Sequence, residues 1–252
     1  NFCRLKEFIM DAIFFKDKKR NTNTLLFFAI GFPFFTLLAL GIDSVYFATT
    51  YFDGRQLTNF LTIAYFAFFF WFANSYLRKL MFVMVFLSYI GELIFCNLLG
   101  MYNYRTAVIP LYVPLGHAIV YASGYVFANT QWALNNDRIL KKYFAIGFLL
   151  LFLSVGVFLN DVFSLISGVL FFLLLKKKRW ENLYYFIALC VIFIELAGTY
   201  FQCWKWIPKI FGSIPTVNPP MGAVFYYAGG DVLLVKIVAL WQNKKLKQII
   251  PS

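Results

Sequence analysis

The chain is 252 residues long, 62% apolar and 22% aromatic, with 13% charged residues and a formal net charge of +12. A soluble domain keeps about 25% charged residues, so an ordinary water-soluble fold is excluded. The positive charge lies in short loops and not on one basic face, which argues against nucleic acid and for the cytoplasmic Lys/Arg excess of membrane proteins.

Residues 1–23 open the chain. Phe2, Leu5, Phe8, Ile9, Ala12 and Ile13 recur at helical spacing, with Arg4, Lys6, Glu7 and Asp11 on other faces. This predicts an amphipathic helix in the membrane interface, followed by a basic anchor. It shows no cleavable signal pattern and is expected to be retained. Apolar runs near 20 residues then recur along the chain, the length that a hydrocarbon core of roughly 30 Å demands of a helix. The fold class is therefore an all-α membrane protein. Eight spans are predicted, at 24–42, 58–76, 80–99, 106–128, 143–159, 161–175, 183–202 and 221–242, with a tail at 243–252. Asn160-Asp161 alone divides the fifth from the sixth, so one long re-entrant hairpin is the alternative there.

Counted segment by segment between these spans, eighteen Lys and Arg fall on one side and four on the other. That alternation predicts an integral membrane protein of bacterial inner-membrane type with both termini cytoplasmic. Four spans per half predict two parallel repeats, 24–128 and 129–242. A duplicated pattern agrees. Glu92-Leu93 and Glu195-Leu196 each sit about thirteen residues into a span. Each is followed by an aromatic triplet, Tyr102-Asn103-Tyr104 or Trp204-Lys205-Trp206, and then by Pro-x-Gly opening another apolar run, at Pro114 and Pro220. With the prolines superposed, Tyr121-Ala122 falls on Tyr227-Ala228, Tyr125 on Asp231 and His117 on Ala223.

Charges inside a bilayer cost a few kcal/mol each and usually face a bundle interior. Glu92, His117, Glu195 and Asp231 are the candidate catalytic residues, expected to converge between the halves. The alternative for each glutamate is a scaffold bond to a neighbouring helix, and for the single histidine a satisfied core position. Lys236 either joins the site or snorkels to the interface. Tyr102, Tyr104, Trp204 and Trp206 form either an aromatic interfacial belt or the mouth of a cavity that binds substrate. Arg105 would meet an anionic head group or merely orient its span, and Asn97 and Asn218 would add polar contacts. Pro110, Pro114, Pro219 and Pro220 break the outer ends of two spans, and backbone freed in this way needs protein or water around it.

No metal or cofactor is expected. The four cysteines are scattered, no Cys/His cluster is present, and there is neither GxxxxGK[ST] nor a strand-flanked GxGxxG. A lysine in the last span is shared with retinal proteins, but no surrounding motif agrees. The partners implied are membrane lipids, without nucleic acid. Three functions fit: a membrane-embedded enzyme doing acid–base chemistry on a lipid or isoprenoid, a proton-coupled carrier of a small solute, or an accessory subunit of a larger membrane complex. Glu92, Gly100-x-Tyr102-x-Tyr104 and the following IPLYVPL run resemble a stretch of membrane hydratases of carotenoid biosynthesis. The resemblance covers one short stretch per half and carries no site residues with it.

Overall fold

The computed structural model describes residues 22–106, 108–179 and 181–249, with side chains to residue 242. The amphipathic helix predicted over residues 1–20 lies outside the described residues. Eight helices of 16 residues or more dominate: α1 (Thr22–Ile42), α3 (Arg55–Phe72), α4 (Ser75–Glu92), α5 (Tyr112–Ala128), α7 (Asp137–Phe158), α8 (Val162–Lys177), α9 (Asn182–Tyr200) and α10 (Ala223–Ile249). Two short helices, α2 (Val45–Thr50) and α6 (Gln131–Asn135), are connectors. Five segments are long and apolar enough to cross a membrane: Thr22–Thr50, Ser75–Leu98, Asp137–Phe158, Asn182–Tyr200 and Ala223–Gln242. Their outward faces are apolar too, with Phe34, Phe82, Leu149 and Leu233 exposed, as expected of surface that meets lipid and not water.

The long helices follow the predicted spans, with shifts that have local causes. α3 stops early because Asn74 caps α4, its side chain accepting from Leu77 N–H at 2.8 Å. It also opens on Arg55-Gln56 and buries Thr58, Asn59 and Thr62. The fourth predicted span begins late, at Tyr112, which puts Pro114 in the first turn of α5, where its missing N–H leaves no helical bond unmade. Between the fifth and sixth spans the structure has two separate helices. Asn160 takes φ 55°, and Asp161 caps α8 by accepting from Ser164 N–H at 3.0 Å.

The centre of the bundle is α5, which packs against α1, α3, α4 and α9. Small residues let it approach. A Cβ at Gly124 would lie 2.8 Å from the Ile187 Cα of α9, a contact only glycine permits. α10 closes the other side against α4, α8 and α9.

One end of the bundle is tied down by a charge network centred on Asp43, in a stretch that sequence reading left as loop. Asp43, fully buried, accepts from Arg55 Nε at 3.2 Å, an Arg105 guanidinium N–H at 2.8 Å and the Tyr112 hydroxyl at 2.7 Å. Arg105 also bonds the exposed Asp53. This hydrogen bond from Arg105 holds the Asp53 carboxyl below the usual carboxylate range. A folded value below the unfolded one stabilises at pH above the unfolded value, and the contribution fades as pH falls through the folded one. Two substitutions separate the buried from the exposed partner. Asp43→Ala should lower unfolding stability by about 3–5 kcal/mol, because the buried Arg55 guanidinium loses its counter-charge and half-buried Arg105 keeps only Asp53. Asp53→Asn should cost less than about 1 kcal/mol. Thermal unfolding of the detergent-solubilised protein at neutral pH measures both.

Candidate functional site

The site begins with two three-residue strands, β1 (Tyr102–Tyr104) and β2 (Trp204–Trp206), which pair antiparallel. Strand alternation sends the aromatic residues of each triplet to one face and leaves Asn103 and Lys205 exposed on the other. The register sets Tyr102 opposite Trp206 and Tyr104 opposite Trp204, with ring centroids 4.7 and 6.3 Å apart. Backbone bonds extend the ladder at both ends, from Arg105 N–H to the Cys203 carbonyl and from Ile207 N–H to the Met101 carbonyl. The aromatic face covers two buried carboxyls.

Glu92 ends α4 where the chain changes to a π-helical segment, Leu93–Leu98, a distortion frequent at functional sites. Its Oε2 accepts from the hydroxyls of Tyr102 at 2.8 Å and Tyr104 at 2.6 Å, and its Oε1 lies 3.0 Å from His117 Nε2. Glu195, on α9, is held differently. Its Oε2 accepts from the indole N–H groups of Trp204 at 2.9 Å and Trp206 at 3.0 Å, and its Oε1 from the Tyr227 hydroxyl at 3.1 Å. The His117 and Tyr227 rings stack, centroids 4.8 Å apart and planes 10° from parallel. The two carboxyls are thus joined through a stacked imidazole and phenol.

These shells differ in what they allow a proton to do. An indole N–H only donates, so the doubly bonded Oε2 of Glu195 is fixed as an acceptor. Phenol and imidazole both donate and accept, so a proton can move between Glu92 and His117 without breaking the network.

Below the carboxyls lies a cavity of about 440 Å³. Its wall includes Glu92, Glu195, His117, Asp231 and the four strand aromatics, and is otherwise largely aliphatic and aromatic, with Phe32, Met84, Ile119 and Ile194. Ile90 of α4, Ile94 of the π-helical segment and Leu233 of α10 line it and are also exposed, so the cavity opens where these segments meet.

The structure therefore brings together Glu92, Glu195, His117, Asp231, Tyr102, Tyr104, Trp204 and Trp206. Tyr102, Trp204 and Trp206 are buried against the carboxyls, which corrects the reading of these rings as an interfacial belt. Three expected binding residues stand elsewhere. The Arg105 guanidinium is held by Asp43 and Asp53, Asn218 accepts from Trp206 N–H at 2.9 Å, and Lys236 is exposed outside the cavity wall. Sequence reading missed Tyr227 as a ligand of Glu195, although its place in the duplicated pattern was the available signal. Among the described residues no group of three metal-ligating side chains is present.

Gly198 decides whether the cage around Glu195 closes. A Cβ there would sit 2.0 Å from the Trp204 ring, so Gly198→Ala should displace the indole. Trp204→Phe removes the same N–H and should cost about 1.5–3 kcal/mol, the range for a hydrogen bond to a charged group. In a double-mutant cycle followed by thermal unfolding, the two losses should fall well short of adding, since both remove one contact.

No protein-family model, curated protein or solved structure matches the chain.

Proposed function

We propose that this protein is a membrane-embedded enzyme that performs acid–base chemistry on a lipid or isoprenoid chain, with Glu92 and His117 as the proton-exchanging pair. The observation that carries the reading is a largely apolar cavity whose polar groups include three carboxyls, one imidazole, the strand aromatics and the hydroxyls of Thr36, Thr62 and Ser88. Glu195 in its indole cage is a fixed acceptor that orients Tyr227 and holds negative charge beside the reacting group. Electron-rich faces of Tyr102, Tyr227, Trp204 and Trp206 suit positive charge developing on a carbon chain. In such a step a proton passes from the Glu92–His117 pair to an alkene carbon, and the π pair becomes the new C–H bond. Return of a proton from a neighbouring carbon completes an isomerisation. Addition of water, with its surplus proton returned to the pair, completes a hydration.

The same reading takes the chain as eight spans in two parallel repeats, in a bacterial inner membrane with cytoplasmic termini. Its support is that each glutamate binds the aromatic triplet of its own half, and that β1 and β2 pair centre on centre, Asn103 with Lys205. The cross-half packings of α4 with α10 and of α5 with α9 are counterparts under the duplication. The shells have diverged, because His117 and Tyr227 come from non-equivalent positions.

The test is lipid profiling, run beside small-solute uptake, on cells expressing wild type, Glu92→Gln or Glu195→Gln at equal membrane levels. A lipid or pigment species changed by wild type should be restored by Glu92→Gln, with turnover down about 10²–10⁴-fold. Uptake lost in the variants would instead assign a proton-coupled carrier. No difference in either assay would leave the glutamates as scaffold in a subunit of a larger complex.

A further inference from the structure

The network around Glu92 and Glu195 leaves one acidic group of the cavity unused. Asp231 lies one helical turn beyond Tyr227 on α10, lines the same cavity and is 2% exposed, yet its Oδ2 has no hydrogen-bond partner among the described residues. The Tyr121 hydroxyl of α5 is also buried without a partner there, within electrostatic range of Asp231. Buried polar atoms are nearly always paired, because nothing else offsets the loss of their water. The neighbouring carboxyls show what this chain builds around an acid that it holds internally: Glu92 and Glu195 each meet three polar side-chain groups. Asp231 has none of this, and Tyr227, the nearest hydroxyl along its own helix face, is spent on Glu195. Space lies beside its chain neighbours as well. Gly229 and Gly230 line the cavity, and a Cβ at either would meet nothing within 4 Å.

The wall also restricts the occupant. Three carboxyls and no lysine or arginine line the cavity among the described residues. A phosphate or carboxylate head group would meet three acidic side chains and no lysine or arginine to pair with it. An ammonium group would carry its own large desolvation cost into an apolar space. A hydroxyl supplies a donor at much smaller cost.

We propose that Asp231 accepts a hydrogen bond from a hydroxyl group on the cavity's ligand, and that this ligand is an unphosphorylated isoprenoid or long-chain alcohol. The inference rests on the lipid-substrate reading of the cavity and adds the polar group by which the chain is held.

The test uses the full chain, purified in detergent, with cavity-wall Trp204 and Trp206 as fluorescent reporters. The probes are farnesol, farnesyl phosphate and the hydrocarbon farnesene. Wild type should bind farnesol at least tenfold more tightly than either of the others. Asp231→Leu should abolish that preference, leave farnesene binding within twofold, and raise the melting temperature by about 2–4 °C for each unpaired-group penalty of one kcal/mol relieved. Should Asp231→Leu fail to fold, infrared difference spectra of wild type and Asp231→Asn decide. A carboxyl band should shift with farnesol, stay put with farnesene, and be missing from the Asn variant. A preference that survives Asp231→Leu, phosphate binding as tight as alcohol binding, or the absence of an Asp231 band would overturn the proposal. Alcohol selectivity lost in Asp231→Leu, with no lipid converted in cells, would sink the enzyme reading and keep this one. Conversion that depends on Glu92 without Asp231-dependent selectivity would do the reverse.

Discussion

Two carboxyl groups buried in an apolar bundle must be given hydrogen-bond donors, and much of one end of this molecule answers that demand. Glu92 and Glu195 are 5% and 4% exposed, too deep for water to solvate and too costly to leave bare. Side chains on their own helices cannot surround them, so donors come from the loops that follow. Those loops extend for three residues each and pair, because only a strand sends residues 102 and 104, or 204 and 206, to the same side. Tyrosine and tryptophan suit these positions, since each joins a polar hydrogen to a large apolar ring that also seals the interior. Gly198 is required to make room for one ring. The Asp43–Arg55–Arg105 network then holds the base of the ladder and, through Tyr112, the start of α5.

The two carboxyls sit in different shells. Glu195 faces two indoles, which only donate, and one phenol. Glu92 faces two phenols and an imidazole, groups that both donate and accept, at the point where α4 becomes a π-helix. The stack of His117 on Tyr227 couples them: the ring that serves Glu92 is positioned by the ring that serves Glu195. Asp231, a turn further along α10, completes an arrangement in which the polar groups sit along one wall and the remainder of the cavity suits a hydrocarbon chain.

The helices were legible in the chain because a membrane segment must be long, apolar and bounded by polar residues, all of which are local properties. Their ends were less so. α3 ends at Phe72 because Asn74 caps the next helix, and α5 waits until Tyr112 because of Pro110 and Pro114. The glutamates stood out because ionisable residues are rare in such runs, and each stands nine or ten residues before an aromatic triplet. The role of those triplets was not legible. A tyrosine or tryptophan at the end of a span reads the same whether it faces head groups or turns inward.

What the sequence by itself determined is the class of molecule, the run of helices and the short list of polar residues that a membrane interior would not tolerate without use. Composition and periodicity suffice for these, since each is set within one turn or one span. Tertiary structure alone decided which residues meet. Strand pairing across 102 residues turned four aromatic rings toward two carboxyls. The folded bundle stacked His117 of α5 on Tyr227 of α10 and set Asp231 in the cavity wall with its Oδ2 unpartnered among the described residues. It also drew Arg105 into a salt bridge with Asp43 and left Lys236 outside. The physical reason is that a hydrogen bond depends on ångströms and angles fixed by distant parts of the chain, whereas burial of an apolar helix depends on little beyond its own residues.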